Sequence, residues 1–116
     1  IVKSLDAFVF VTPEYNFSAP PALLNAFDFL YHEWAYKPAG FVSYGGQSGG
    51  IRAVQMLKQP LISMKVVGIP ESVAVPFFTQ HVNGNVFTGS ESHEKAAVTM
   101  LDELLRWAGA LATLRQ

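Results

Sequence analysis

Two short stretches of this 116-residue chain combine residue types that could do chemistry. The first, Thr12-Pro13-Glu14-Tyr15-Asn16-Phe17-Ser18, sets a proline, an acid, an aromatic and an amide side by side. The second, Ser43-Tyr44-Gly45-Gly46-Gln47-Ser48-Gly49-Gly50, has four glycines within six residues. Such a run lets the backbone approach a flat ligand and leaves N–H groups free. It equally suits a plain tight turn into a helix, and it matches neither the GxxxxGKS/T phosphate loop nor the GxGxxG fingerprint. Glu14 could be an acid beside a ligand or a cap for the loop after it. Arg52 could attract a phosphate or join a surface ion pair. His32, His81 and His93 have no metal-ligand spacing, and no metal site is expected. His32 reads as a solvated helix residue and His81 as a loop residue, while Met100 and Trp107 read as packing.

Each stretch follows a run that reads as a strand. Leu5–Thr12, with its continuous apolar segment Ala7–Val11, and Ala39–Tyr44 are apolar on both faces, which suits a parallel sheet covered by helices. Val73–Pro76 is a third candidate, with Val66–Ile69 leading into it. Pro21-Ala22 opens a helix whose Leu23, Phe27, Leu30 and Trp34 share one face. Ile51, Val54, Leu57 and Leu61 mark a second helix, which Pro60 should kink or end. Ala97, Leu101, Leu104, Ala108 and Leu111 mark a long third one. Ser90 or Ser92 would cap it, with Glu91 and Glu94 in its first turn and Arg115 near its end. Val82–Val86 reads as a tight hairpin inserted before it. Strand and helix alternate, so the fold class is α/β with a parallel sheet. In such folds ligands bind beyond the carboxyl ends of the strands, where both stretches lie.

Half of the residues are hydrophobic and 15% are charged, enough apolar surface for one core and too little charge for disorder. Eight Lys and Arg stand against nine Asp and Glu, scattered along the chain, with a net charge of −1. No basic stripe is available to a phosphate backbone, so no nucleic-acid partner is expected. The absence of cysteine excludes disulfides, thiolate metal sites and a cysteine nucleophile, and fits a cytoplasmic setting. No run suits a signal peptide or a membrane span. The chain opens Ile1-Val2-Lys3 without an initiator Met, and we read it as a piece of a longer polypeptide.

Several motifs together resemble one family. They are Thr-Pro-Glu-Tyr-Asn-x-Ser-x-Pro at 12–20, Leu24-Asn25-Ala26-x-Asp28, Glu33-Trp34-x-x-Lys37-Pro38, and Ser43-Tyr44-Gly45-Gly46-x-Ser48-Gly49-Gly50-x-Arg52-Ala53. This pattern resembles the NADPH-dependent FMN reductases, flavodoxin-like enzymes that include quinone, azo-dye and chromate reductases. Pro70-Glu71-Ser72-Val73 and the Asn83-Gly84 turn extend the resemblance, which is read from residue 1 through the last helix.

The resemblance implies a flavodoxin-like domain of strand order 2-1-3-4-5, of which residues 1–116 are the C-terminal portion. The first two strands, and the loop that holds the FMN phosphate, would have no counterpart here. It also implies FMN and NADPH as cofactors, a quinone or similar small-molecule electron acceptor, and a homodimer or homotetramer. Pro13, Glu14, Tyr15 and Asn16 would run along the flavin ring and ribityl chain, mainly through backbone groups. Ser43, Tyr44, Gly45 and Gly46 would line the other side of the ring. The chemistry would belong to the cofactor, so no catalytic side chain is assigned. Two alternatives share the fold: a flavin-binding electron carrier or redox sensor without turnover, and a non-catalytic remnant.

Overall fold

The computed structural model describes all 116 residues. Three parallel strands, β1 (Phe8–Pro13), β2 (Lys37–Tyr44) and β3 (Val66–Val75), form a sheet in the order β1-β2-β3. Helices α1 (Pro21–Asp28) and α2 (Ile51–Ser63) connect them, and α3 (Glu91–Leu111) follows a small hairpin, β4 (Val82–Asn83) and β5 (Val86–Phe87). Successive side chains of a strand point to opposite faces. Phe8, Phe41 and Val66 therefore meet Phe27, Trp34, Val54, Leu57 and Leu61 on one face of the sheet. Ile69, Val73 and Val75 meet Met100 and Leu104 on the other.

The first helix is shorter than its apolar spacing implies. It ends at Asp28, and His32–Trp34 form a separate 3₁₀ turn. In a continuing helix the Phe27 carbonyl would accept the Tyr31 N–H. Instead it accepts Trp34 Nε1 at 3.1 Å, while the Tyr31 N–H goes to Glu33 Oε2 at 3.1 Å. Burying the indole between Phe8 and Phe27, with centroids at 5.1 and 5.9 Å, outweighs one more turn of helix. His32 is thus in a turn rather than on the helix.

Pro60 does not end α2, which runs on to Ser63. A proline inside a helix costs about 3 kcal/mol. Full burial of Leu57 and Leu61 on either side returns roughly 1.5–3 kcal/mol each. The two segments read separately at 66–69 and 73–76 are one strand, ending at Val75. Between Ala39 and Phe41 the register with β3 slips from Gly68 to Ser72, and the exposed Pro70 sits in that irregularity on an edge strand. The hairpin forms at 82–87, and Ser90 is the N-cap of α3. Arg115 lies beyond α3 in a terminal 3₁₀ turn, where it pairs with Asp6 at 2.8 Å. Met100 is buried, but Trp107 is 37% exposed on the flank of α3 and does not pack in the core.

Candidate functional site

β1 and β2 bring the two stretches together, because Pro13 is the register partner of Tyr44. After β1 the chain reverses at once. Tyr15 and Ser18 exchange N–H···O bonds of 2.7 and 2.9 Å, with Asn16 and Phe17 at φ +50° and +69° between them. Two central residues of positive φ make a tight turn usually given to Asn-Gly. Here an aromatic occupies the second place, and it needs support. The Arg52 guanidinium provides it, 3.8 Å from the Phe17 ring centroid.

Arg52 is held in turn by Glu14, with Nε and Nη2 at 2.7 and 2.6 Å from Oε2. The other carboxylate oxygen accepts Ser48 Oγ at 3.0 Å and the N–H groups of Arg52 and Ala53 at 3.1 and 3.3 Å. Glu14 therefore caps α2, whose own N-cap, Gly50, makes no side-chain cap bond. The hydrogen bond from Arg52 is the main reason the Glu14 carboxyl is held below its ordinary value, and burial opposes it only in part. Glu14 thus caps the start of α2, and not the loop after it as the sequence suggested.

The glycine loop divides by role. Gly50 has φ +85°, and a Cβ there would stand 2.7 Å from Ser43 Cβ and 2.9 Å from the Tyr44 nitrogen. The buried Ser43 gives its hydroxyl to the Gly49 carbonyl at 2.7 Å. At Gly46, by contrast, a Cβ would meet no atom within 4 Å. A strap crosses behind this loop: Phe77 and Phe78 donate their N–H groups to the Gly46 and Gly45 carbonyls at 2.9 and 3.2 Å. Phe77 has φ +48°, the second aromatic of this site, after Phe17, in the left-handed region.

The outcome is a paired-loop platform at the carboxyl end of the sheet. The charged side chains on it neutralise each other, and the side chains of Glu14 and Ser43 are turned to internal partners. The N–H groups of Asn16, Phe17, Gly46 and Gln47 donate to no acceptor in the chain. Tyr15 is exposed, and Tyr44 is half-buried with its ring edge-to-face on Phe78 at 5.3 Å. Such a surface offers neutral donors and aromatic faces to a flat, electron-rich ligand. Phe77 and Phe78 lie outside both stretches singled out in the sequence, and Phe17 and Ser48 lie within them but had no role assigned. The positive φ at Phe17 and Phe77 has no signal in a residue type that rarely adopts it.

A family model described as NADPH-dependent FMN reductase matches residues 1–80. The match stops short of α3, so the resemblance in sequence is narrower than the whole chain. An NAD(P)H-dependent FMN reductase of Saccharomyces cerevisiae is 53% identical over 70 residues, 59% of this chain and 36% of its own length. An NADPH:quinone oxidoreductase of Arabidopsis thaliana is 44% identical over 61 residues, 50% of this chain and 31% of its own length. Among solved structures, the flavoenzyme NAD(P)H:(acceptor) oxidoreductase FerB of Paracoccus denitrificans superposes with a TM-score of 0.73 and 26% identity. That superposition covers 94% of this chain and 64% of FerB. The chain thus spans about a third of the length of the two sequence relatives.

Proposed function

The chain belongs to the NADPH-dependent FMN reductase family, and from that membership we propose that its paired loops hold FMN for reduction by NADPH. The acceptor in this reading is a quinone or a similar small molecule, as the name of the Arabidopsis relative suggests. The observation that carries the reading is the set of free N–H groups on Asn16, Phe17, Gly46 and Gln47. The loop around Gly46 also has room for a ring where a Cβ would meet nothing. Pro13, Glu14, Tyr15 and Asn16 would flank the ring on one side, with Ser43, Tyr44, Gly45 and Gly46 on the other.

When bound, FMN supplies the hydride chemistry, from nicotinamide to acceptor. The chain's own residues bind and orient. Backbone donors of the glycine loop favour negative charge at the ring without side-chain bulk. Glu14 keeps its carboxylate on Arg52 and α2, so it adds no charge at the ring and acts as a brace between the loops. No side chain of either loop is assigned a proton transfer.

Residues 1–116 are taken as the later part of one flavodoxin-like domain, which the unpaired outer edge of β1 supports. Self-association through the end of α1 is supported by Phe29 and Tyr31, 77% and 57% exposed. Trp34, on the apolar face with Leu23, Phe27 and Leu30, is buried in the core and takes no part. No helix is long and apolar enough to cross a membrane, and a cytoplasmic setting completes the reading. Titration of FMN fluorescence tests the cofactor assignment. Saturable quenching by the wild type, weakened at least about tenfold in Gly46→Val, is expected; equal quenching by both removes the glycine loop from the site.

A further inference from the structure

The segment that straps the glycine loop carries a pair of histidines for which the cofactor reading has no use. His81 ends the 3₁₀ turn Phe78–His81, His93 stands in the first turn of α3, and their ring centroids are 4.9 Å apart. His93 Nδ1 accepts the Ser90 N–H at 3.1 Å, while Ser90 Oγ accepts the His93 N–H at 3.3 Å. This reciprocal cap puts an imidazole where Glu or Gln usually stands. The difference is chemical. A carboxylate or an amide remains an acceptor in mild acid, but an imidazole accepts at Nδ1 only while it is neutral with its proton on Nε2.

A proton on Nδ1 would turn that acceptor into a donor facing the Ser90 N–H. It would also place positive charge at a helix N-terminus, against the dipole, and beside a second imidazole. Little nearby could compensate. Between Glu71 and Glu91 the chain has no Asp, Glu, Lys or Arg, so the 3₁₀ turn and the hairpin face the pair with His81 as their only titratable group. On α3 itself, Glu91 is paired with Lys95 at 3.1 Å, and Glu94 shares the first turn. Tyr44 is the one other titratable side chain lining the cavity that His93 walls.

That cavity has a volume of about 460 Å³ and lies between the sheet and the hairpin, with Val42, Val75, Phe78, Val82 and Phe87 around it. The hairpin reaches the pair directly. Phe87 stands 6.1 Å from the His81 ring, and the Thr88 N–H bonds the His81 carbonyl at 2.8 Å. We propose that His81 and His93 form a proton-operated latch. Neutral, the two rings hold the hairpin and the 3₁₀ turn against the start of α3. Protonated, they release this lid, open the apolar cavity and slacken the strap that Phe77 and Phe78 lay across Gly45 and Gly46.

Amide hydrogen exchange on the 116-residue chain at about pH 7.5 and about pH 5.5 tests the latch, with rates corrected for intrinsic exchange and α2 as internal reference. In the wild type, the amides of Ser90, His93 and Thr88 are expected to lose at least about tenfold protection relative to α2 at the lower pH. His93→Gln keeps a neutral acceptor in the cap, and the pH dependence disappears. His81→Phe keeps an aromatic contact, and the dependence narrows. Protection independent of pH in the wild type, or an undiminished dependence in His93→Gln, overturns the proposal. Should His93→Gln fail to fold, an undiminished dependence in His81→Phe overturns it as well. No step of this test involves flavin, so its failure leaves the cofactor reading intact.

Discussion

Glu14 shows how one side chain can brace a site without facing the ligand. Its carboxylate is nearly buried, it joins a turn after β1 to the start of α2, and its titration is displaced downward by Arg52. A carboxyl held below its unfolded value stabilises the fold above the ordinary carboxylate range, and loses that contribution as pH falls through the folded value. Glu14→Gln is therefore expected to cost about 1–2 kcal/mol near neutral pH, a range reduced because Arg52 is half-exposed. Urea unfolding at about pH 7 and about pH 3 checks this, since the difference from wild type should shrink at the lower value. The two glycines of the second loop should separate in the same kind of experiment. Gly50→Ala forces a Cβ into Ser43 and Tyr44 at positive φ and should lower stability by at least about 2 kcal/mol. Gly46→Ala should unfold like the wild type. From residue types alone the acid and the glycines stood out, but their division of labour did not. Glu14 and Arg52 meet across 38 positions of sequence, and no local pattern encodes such a contact.

The elements follow from periodicity wherever a helix or strand is settled by its own neighbours. β1, β2 and α3 with its Ser90 cap are of this kind. Periodicity fails where a distant partner competes for a backbone group, as Trp34 does for the Phe27 carbonyl at the end of α1. Lys37 is a second case. It sits in a motif that the sequence displays, yet its role appears only in three dimensions. The buried ammonium donates to the carbonyls of Val2, Lys3 and Glu33 at 2.8, 3.0 and 2.9 Å, so it ties the 3₁₀ turn Val2–Ser4 to the turn before β2. Burial pushes it below the usual lysine range, with Arg115 adding to the shift. Lys37→Met leaves those three carbonyls without a donor. Hydrogen exchange should then show the Val2–Ser4 turn fraying, with the amides of Ser4 and Leu5 losing protection, while β2 and β3 stay protected. Unchanged protection at Ser4 and Leu5 would remove Lys37 from this role.

At the scale of the molecule, one side of the sheet is unfinished. The outer edge of β1 has no partner strand, and α3 lies over β2 and β3, so Val9 and Val11 are 41% and 62% exposed. Leu101 and Leu105 of α3 are also exposed. An open edge beside an apolar surface invites association. Sedimentation of the 116-residue chain should show concentration-dependent association, reduced by Val9→Lys; a monomer at every concentration would contradict this. If the proposed reading holds and a preceding loop contacts the FMN phosphate, as the family resemblance implies, a longer polypeptide with that loop should bind FMN more tightly, by roughly 1.5–3 kcal/mol per charge-assisted contact. The central claim is that the two loops hold a flavin that NADPH reduces. It is tested most directly by adding NADPH without oxygen to the FMN-loaded protein and following the visible flavin band. Bleaching by NADPH, recovery on adding a quinone, and a flavin content in Gly46→Val reduced in line with its weaker binding are expected. A wild type that binds no flavin, or one whose bound flavin NADPH leaves oxidised, would contradict the claim.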